Sequence, residues 1–96
     1  MTAAKRHMDL LHQLPCVVEF RLTGQLVYAD IVVHHPESAR DKWTDFSGIP
    51  MQDWRHKQLH RLSRRGFERA TKLSELDLLA TTLYMIQEGY QKKRTP

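Results

Sequence analysis

Ninety-six residues with a formal net charge of +4 fit one domain whose core must be small, since a chain of this length buries only about two-thirds of the surface its unfolded form exposes. With 41% hydrophobic and 27% charged residues, the composition excludes a disordered chain, and no segment approaches the roughly 18 to 20 apolar residues of a membrane span. The lone cysteine, Cys16, excludes an internal disulfide, and the first residues lack the apolar run of a signal peptide, so a cytoplasmic protein is expected.

Ala4, Met8, Leu11 and Leu14 recur at helical spacing and Pro15 stops them, which predicts a short amphipathic helix over residues 3–13. Residues 16–33 are rich in β-branched and aromatic side chains on both sides of Thr23-Gly24 and read as a β-hairpin. A two-residue turn there pairs Leu22 with Gln25, Phe20 with Val27, Val18 with Ala29 and Cys16 with Ile31. A three-residue loop with Gly24 in a bulge sets Phe20 against Leu26 instead. The other face carries Val17, Glu19, Arg21, Leu26, Tyr28 and Asp30 and is partly wet. After His34-His35-Pro36, residues 42–47 return as a third strand carrying Trp43, or a short helix follows Pro36.

Ser47 to Pro50 reads as a loop with Pro50 suited to a first helical turn. From Met51 to Arg65, steps of 100° put Met51, Trp54, Leu59 and Leu62 on an inner side and Lys57, His60, Arg61 and Arg64 on an outer one. Gly66 is the natural stop. Residues 67–73 fit a further helical turn or a short extended piece. Ser74 is an N-cap with Glu75 and Asp77 in the first turn, and Leu76, Leu79, Ala80, Leu83, Ile86 and Tyr90 trace an apolar stripe with Leu79 and Leu83 in the core. The helix runs from Glu75 to about Tyr90, and the tail frays from about residue 91.

Charge is concentrated rather than spread. Residues 51–72 hold seven Lys and Arg against two acids, so more net positive charge lies in this segment than in the whole chain. The candidate surface for nucleic acid or an acidic partner is therefore Arg55, Lys57, His60, Arg61, Arg64, Arg65, Arg69 and Lys72. A helix-turn-helix does not fit, because Gly66 to Ser74 is far longer than the roughly 3 to 4 residue turn of that motif. The chain also has no asparagine, one of the two usual bidentate readers of adenine.

Six histidines include His56 and His60 at i, i+4, but Lys57 stands where a zincin helix needs glutamate and would repel a cation. His34 and His35, adjacent on an extended stretch, point to opposite sides. No metal and no cofactor are expected. Asp30, Asp41 and Asp45 have no spacing that marks an acid-base pair, no glycine-rich phosphate loop exists, and Cys16 reads as a small buried hydrophobe, so no catalytic residues are expected. Trp54 reads most simply as core and Trp43 as a cap on the hairpin end, while an exposed tryptophan beside Arg55 or Arg40 is the alternative, an interface anchor. Trp43, and Tyr28 on the wet hairpin face, are candidate protein-interface anchors.

The N-terminal helix, Pro15 and the stretch Val17 to Val33 resemble the opening of an Sm-like barrel, helix then bent hairpin with a glycine. The helical second half departs from that pattern, so no function is carried from it. As a short, motif-poor basic domain, the chain is similar to accessory proteins of phages and mobile elements. The expectation is one α+β domain spanning residues 1–96: a short helix, a two- or three-stranded antiparallel sheet, and two C-terminal helices packed on one face. Its expected role is non-catalytic and regulatory, engaging nucleic acid or a nucleic-acid-handling complex through the basic helix. The alternative is an inhibitor or adaptor that docks on a host protein such as a DNA-processing enzyme.

Overall fold

The structure, a computed structural model, describes residues 2–36 and 43–92. Among these residues an α+β fold forms from α1 (Ala3–Leu11), α2 (Val17–Thr23), β1 (Ile31–His34), a 3-10 turn (Thr44–Ser47), β2 (Ile49–Gln52), α3 (Asp53–Thr71) and α4 (Glu75–Gln87). Thr2 opens α1 as its N-cap, its hydroxyl accepting from the Lys5 amide at 3.1 Å, which satisfies one of the orphan donors of a helix start.

The hairpin expected over residues 16–33 does not form. Val17 to Thr23 is helical, because this placement buries Val17 and Val18 completely beside Leu14 and Cys16, and burial outweighs the modest β preference of valine. Gly24 is the C-cap of α2 at φ 78°, a left-handed conformation that glycine adopts without strain. Thr23-Gly24 therefore ends a helix instead of turning a hairpin. None of the four cross-strand pairs exists, and neither does the alternative register. The chain runs back past α2, where the Cys16 amide donates to the Val27 carbonyl at 2.8 Å. The likeness to an Sm-like barrel ends with this helix.

The partner of β1 comes from farther along the chain. β1 and β2 pair antiparallel with Ile31 opposite Gln52, Val32 opposite Met51, Val33 opposite Pro50 and His34 opposite Ile49. Pro50 thus lies in a strand and not in a helical turn, which a two-stranded sheet tolerates because each strand is an edge. Gly48 leads into β2, where an added Cβ would stand 2.6 Å from Val33 Cγ1 and 2.7 Å from Leu11 Cδ1. Glycine here lets α1, β1 and β2 meet. Residues 44–47 form the 3-10 turn and not a third strand. Lys42, and the short helix weighed after Pro36, lie outside the described residues.

α3 begins at Asp53, two residues later than expected, because Met51 and Gln52 belong to β2. It passes through Gly66 and ends at Thr71, with Lys72 as a left-handed C-cap. The break falls earlier, at Ser63, whose φ of 65° and ψ of 169° divide α3 into two segments. Ser63 Oγ accepts a long 3.5 Å bond from the Gly66 amide, as an N-cap of the second segment does. Of the two readings of Trp54, the core one does not hold: the side chain is 52% exposed, beside Arg55.

Ser74 caps α4 as the sequence indicates, in a reciprocal box. Its hydroxyl accepts from the Asp77 amide at 3.0 Å, while Asp77 Oδ2 accepts from the Ser74 amide at 2.9 Å. These bonds hold the Asp77 carboxyl below its ordinary value. The helix ends at Gln87, with Gly89 at φ 72° just beyond. Its buried side is Leu78, Thr81, Thr82 and Met85, whereas Leu83, expected in the core, is 54% exposed. Leu79 is half-buried against the core. Leu11, Leu14, Val17, Val18, Ile49, Met51, Leu59, Phe67, Leu78 and Met85 make the centre, to which every α-helix contributes together with β2. The expected frayed tail lies mostly outside the described residues, and Lys92 still donates its amide to the Gln13 carbonyl at 2.8 Å. No described helix is long and apolar enough to cross a membrane.

Candidate metal centre and the basic surface beside it

The β1–β2 pairing and the start of α3 create a cluster that chain order does not display. His34 ends β1, and the first segment of α3 crosses beside it so that His56 and His60, one helical turn apart, face the same point. One ring nitrogen from each of the three lies within 4.8 Å of the others. Ring centroids are separated by 4.4 Å for His56 and His60, 5.2 Å for His34 and His56, and 5.9 Å for His34 and His60.

Two of these nitrogens, Nε2 of His56 and Nε2 of His60, stand 3.0 Å apart. Imidazole nitrogens bound to one ion at about 2.0 to 2.1 Å sit roughly 2.9 to 3.4 Å from each other across the usual coordination angles. The spacing therefore fits adjacent ligands of a single ion. His56 is held below its ordinary imidazole value, first by burial and then by His34 and His60. Each of these effects favours the neutral ring that a metal requires.

Around the three rings stands a second set of partners. Glu75, in the first turn of α4, places Oε2 2.6 Å from His34 Nε2, with both side chains largely buried. A carboxylate behind a ligating imidazole fixes ring orientation and tautomer. Arg64 approaches the other oxygen of Glu75 at 3.5 Å. His35 does not turn away from this region. Its Nε2 lies 3.1 Å from Asp45 Oδ1 in the 3-10 turn, and it lines, with His34, His60, Ser63, Arg64 and Arg65, a cleft of about 540 Å³.

The expected basic surface divides when placed on this frame. Arg55 is a structural residue: its Nε donates to Glu19 Oε1 at 2.7 Å with both side chains near nine-tenths buried, and Nη1 donates to Gln58 at 3.0 Å. His60 belongs to the histidine cluster. Lys57 is exposed and paired with Asp53 at 2.9 Å, and lysine still stands directly after His56 where the zincin pattern needs glutamate. Arg61, Arg65, Arg69 and Lys72 are exposed, and Arg64 and Arg65 form the rim of the cleft.

Of the two candidate anchors, Trp43 is 61% exposed with Phe46 6.2 Å away. Tyr28 is half-buried and donates its hydroxyl to the Tyr90 carbonyl at 2.8 Å, tying the chain after α2 to the end of α4. Sequence reasoning notes the i, i+4 spacing of His56 and His60 but sets the pair aside and expects no metal, because it does not bring His34 to them. The signal that completes the set is a histidine pair at the end of a strand antiparallel to the one that feeds the helix. No protein-family model matches this chain, and no curated protein matches it either.

Proposed function

We propose that this protein is a metal-dependent phosphodiesterase acting on nucleic acid in the cytoplasm. The observation that carries the reading is the convergence of three imidazole nitrogens within 4.8 Å, two of them on His34 and His60, which line a cleft together with Arg64 and Arg65. Three neutral histidines are a ligand set that leaves coordination positions open. A divalent ion, if bound there, would supply an activated water and a Lewis acid for a phosphoryl oxygen.

The chain's own groups divide the remaining work. His34, His56 and His60 would hold the ion, with Glu75 orienting His34. Arg64 and Arg65 receive the non-bridging oxygens of a phosphodiester, where charge grows as water attacks. His35, held by Asp45, is the general base. The water oxygen bonds to phosphorus, its proton passes to His35, the ester P–O bond breaks, and the leaving oxygen takes a proton from solvent.

A second reading keeps the ion as a structural clamp and the protein as a non-catalytic accessory factor of the phage or mobile-element type. It engages nucleic acid or a nucleic-acid-bound complex through Arg61, Arg65, Arg69 and Lys72, and the charge concentrated in residues 51–72 favours it. Docking on one host protein through Trp43, as an inhibitor or adaptor, is supported by that residue's exposure of 61%.

Thermal melts of metal-stripped protein with added Zn²⁺, Mn²⁺ or Ni²⁺, paired with cleavage of labelled oligonucleotides, test the proposal. At a hundredfold excess over Kd the ion stabilises by about 2.7 kcal/mol, and His60→Ala removes this gain. Protons compete with the ion for the ring nitrogens, so the gain fades as pH falls, and because His56 is held below the ordinary 6.5 its share of that competition sets in only below this value. His35→Ala retains the gain while cleavage falls by about 10²- to 10⁴-fold. Stabilisation without cleavage selects the structural clamp, and absence of any metal effect overturns the metal centre.

A further inference from the structure

On the opposite flank of the first α3 segment stands a large aromatic ring that the fold holds out to solvent. Trp54 is 52% exposed, yet it does not hang loose. The Arg55 guanidinium carbon lies 4.0 Å from its ring centroid, and Arg55 is itself fixed by the buried pair with Glu19 at 2.7 Å. The indole N–H donates to Gln52 Oε1 at 3.1 Å. One face is thus backed by a clamped cation and one edge by a hydrogen bond, while half of the residue stays open to water. A core-seeking side chain held rigid and wet is prepared for a ligand with a flat face of its own.

The surroundings specify that ligand's charge. At steps of 100°, Arg61 falls about 20° and Lys57 about 60° from Trp54 around the helix, and the three line a shallow cleft of about 310 Å³ with Gln58. Arg61 makes no ion pair among the described residues. Going around the exposed side, Lys57 lies between Trp54 and the histidines, so the surface continues toward the metal centre. An aromatic platform interleaved with cations is the arrangement that stacks a base and holds its phosphates. A base inside a duplex presents no face to a side chain.

We infer that Trp54, with Lys57 and Arg61, is a stacking subsite for an unpaired nucleobase, so that the nucleic acid engaged is single-stranded along this flank of α3. This rests on the nucleic-acid reading above but not on hydrolysis. Its test therefore uses metal-stripped protein in chelator. In a Trp43→Phe background Trp54 is the sole tryptophan, and its emission reports on the subsite.

A single-stranded oligothymidylate should quench that emission on saturation, and the full-length protein should prefer it to a duplex of equal length. Trp54→Ala should weaken single-strand binding by about tenfold, Trp54→Phe by less, and duplex binding should barely change. Unchanged single-strand affinity in Trp54→Ala overturns the subsite, as does an equal loss for both strand forms or failure of the parent protein to bind the oligothymidylate. Equal quenching by polyglutamate overturns it in favour of an acidic polypeptide. Quenching and the mutant loss without cleavage upon metal addition uphold the subsite and remove the hydrolytic reading alone.

Discussion

The two segments of α3 bury different sides, and the comparison explains the break between them. In the first, Leu59 is buried and Leu62 packs against the core; in the second, Phe67 and Thr71 are buried. Counted at 100° per residue along an unbroken helix, the two inner sides differ by about 130°. A continuous helix could not bury both, and Phe67 would fall on the side that carries His56 and His60. The left-handed φ at Ser63 resets the phase. One segment can then present two histidines to His34, while the next buries Phe67 and carries Arg64 to Glu75. Segmentation of the helix, more than its charge, builds the cleft.

The largest effect should come from removing the anchor of the second segment. Phe67 is 1% exposed and the bulkiest fully buried side chain among the described residues, so Phe67→Ala should cost ~3–5 kcal/mol in urea melts. Arg69→Ala, two residues on but exposed, should change stability by no more than about 0.5 kcal/mol. A small loss at Phe67 would break the comparison, because the second segment would then need no buried anchor of its own.

How far these features could be read in advance follows from whether their causes are local. The start of α4 was legible because Ser74 and Asp77 satisfy each other across three residues. Its buried side was not. Thr81 and Thr82 look polar, but their hydroxyls donate to the carbonyls of Asp77 and Leu78 at 2.8 Å, so they enter the core while Leu76 and Leu83 stay outside. α2 was misread because Val17, Val18 and Phe20 carry strand preference, and what decides their conformation is burial against distant residues. The histidine site was half visible. His56 and His60 share a helix face, but His34 joins them only through a strand pairing that links residues 31–34 to residues 49–52.

The Ser63 break offers the next test, smaller and opposite in sign. A non-glycine residue near φ 65° and ψ 169° occupies a region essentially reserved for glycine, at a cost of about 1–3 kcal/mol. Ser63→Gly relieves that cost, gives back part of it through the greater freedom of the unfolded chain, and loses only a 3.5 Å capping bond. A net gain of about 1 kcal/mol is expected in urea melts. A straight helix in solution would instead make Ser63→Gly destabilising, which would falsify the phase argument.

The smallest effect on stability, and the finest probe of the outer side, comes from Arg61 and Lys57. Both are exposed on the first segment, but Lys57 is already paired with Asp53 at 2.9 Å, an arrangement that raises its ammonium above the ordinary lysine value. A phosphate must compete with that carboxylate for Lys57, whereas Arg61 has no such competitor among the described residues. Arg61→Ala should therefore lower the slope of log affinity against log salt by about one, and Lys57→Ala by less. Arg61→Ala should leave the urea midpoint within about 0.5 kcal/mol of the parent. The slopes are read from oligonucleotide titrations at several salt concentrations. Asp53→Asn frees Lys57 and should raise its contribution toward that of Arg61, which separates pairing from mere distance as the cause of the difference. Equal slopes for Arg61→Ala and the parent would place the phosphates along Arg64 and Arg65 alone and confine nucleic acid to the cleft side of α3.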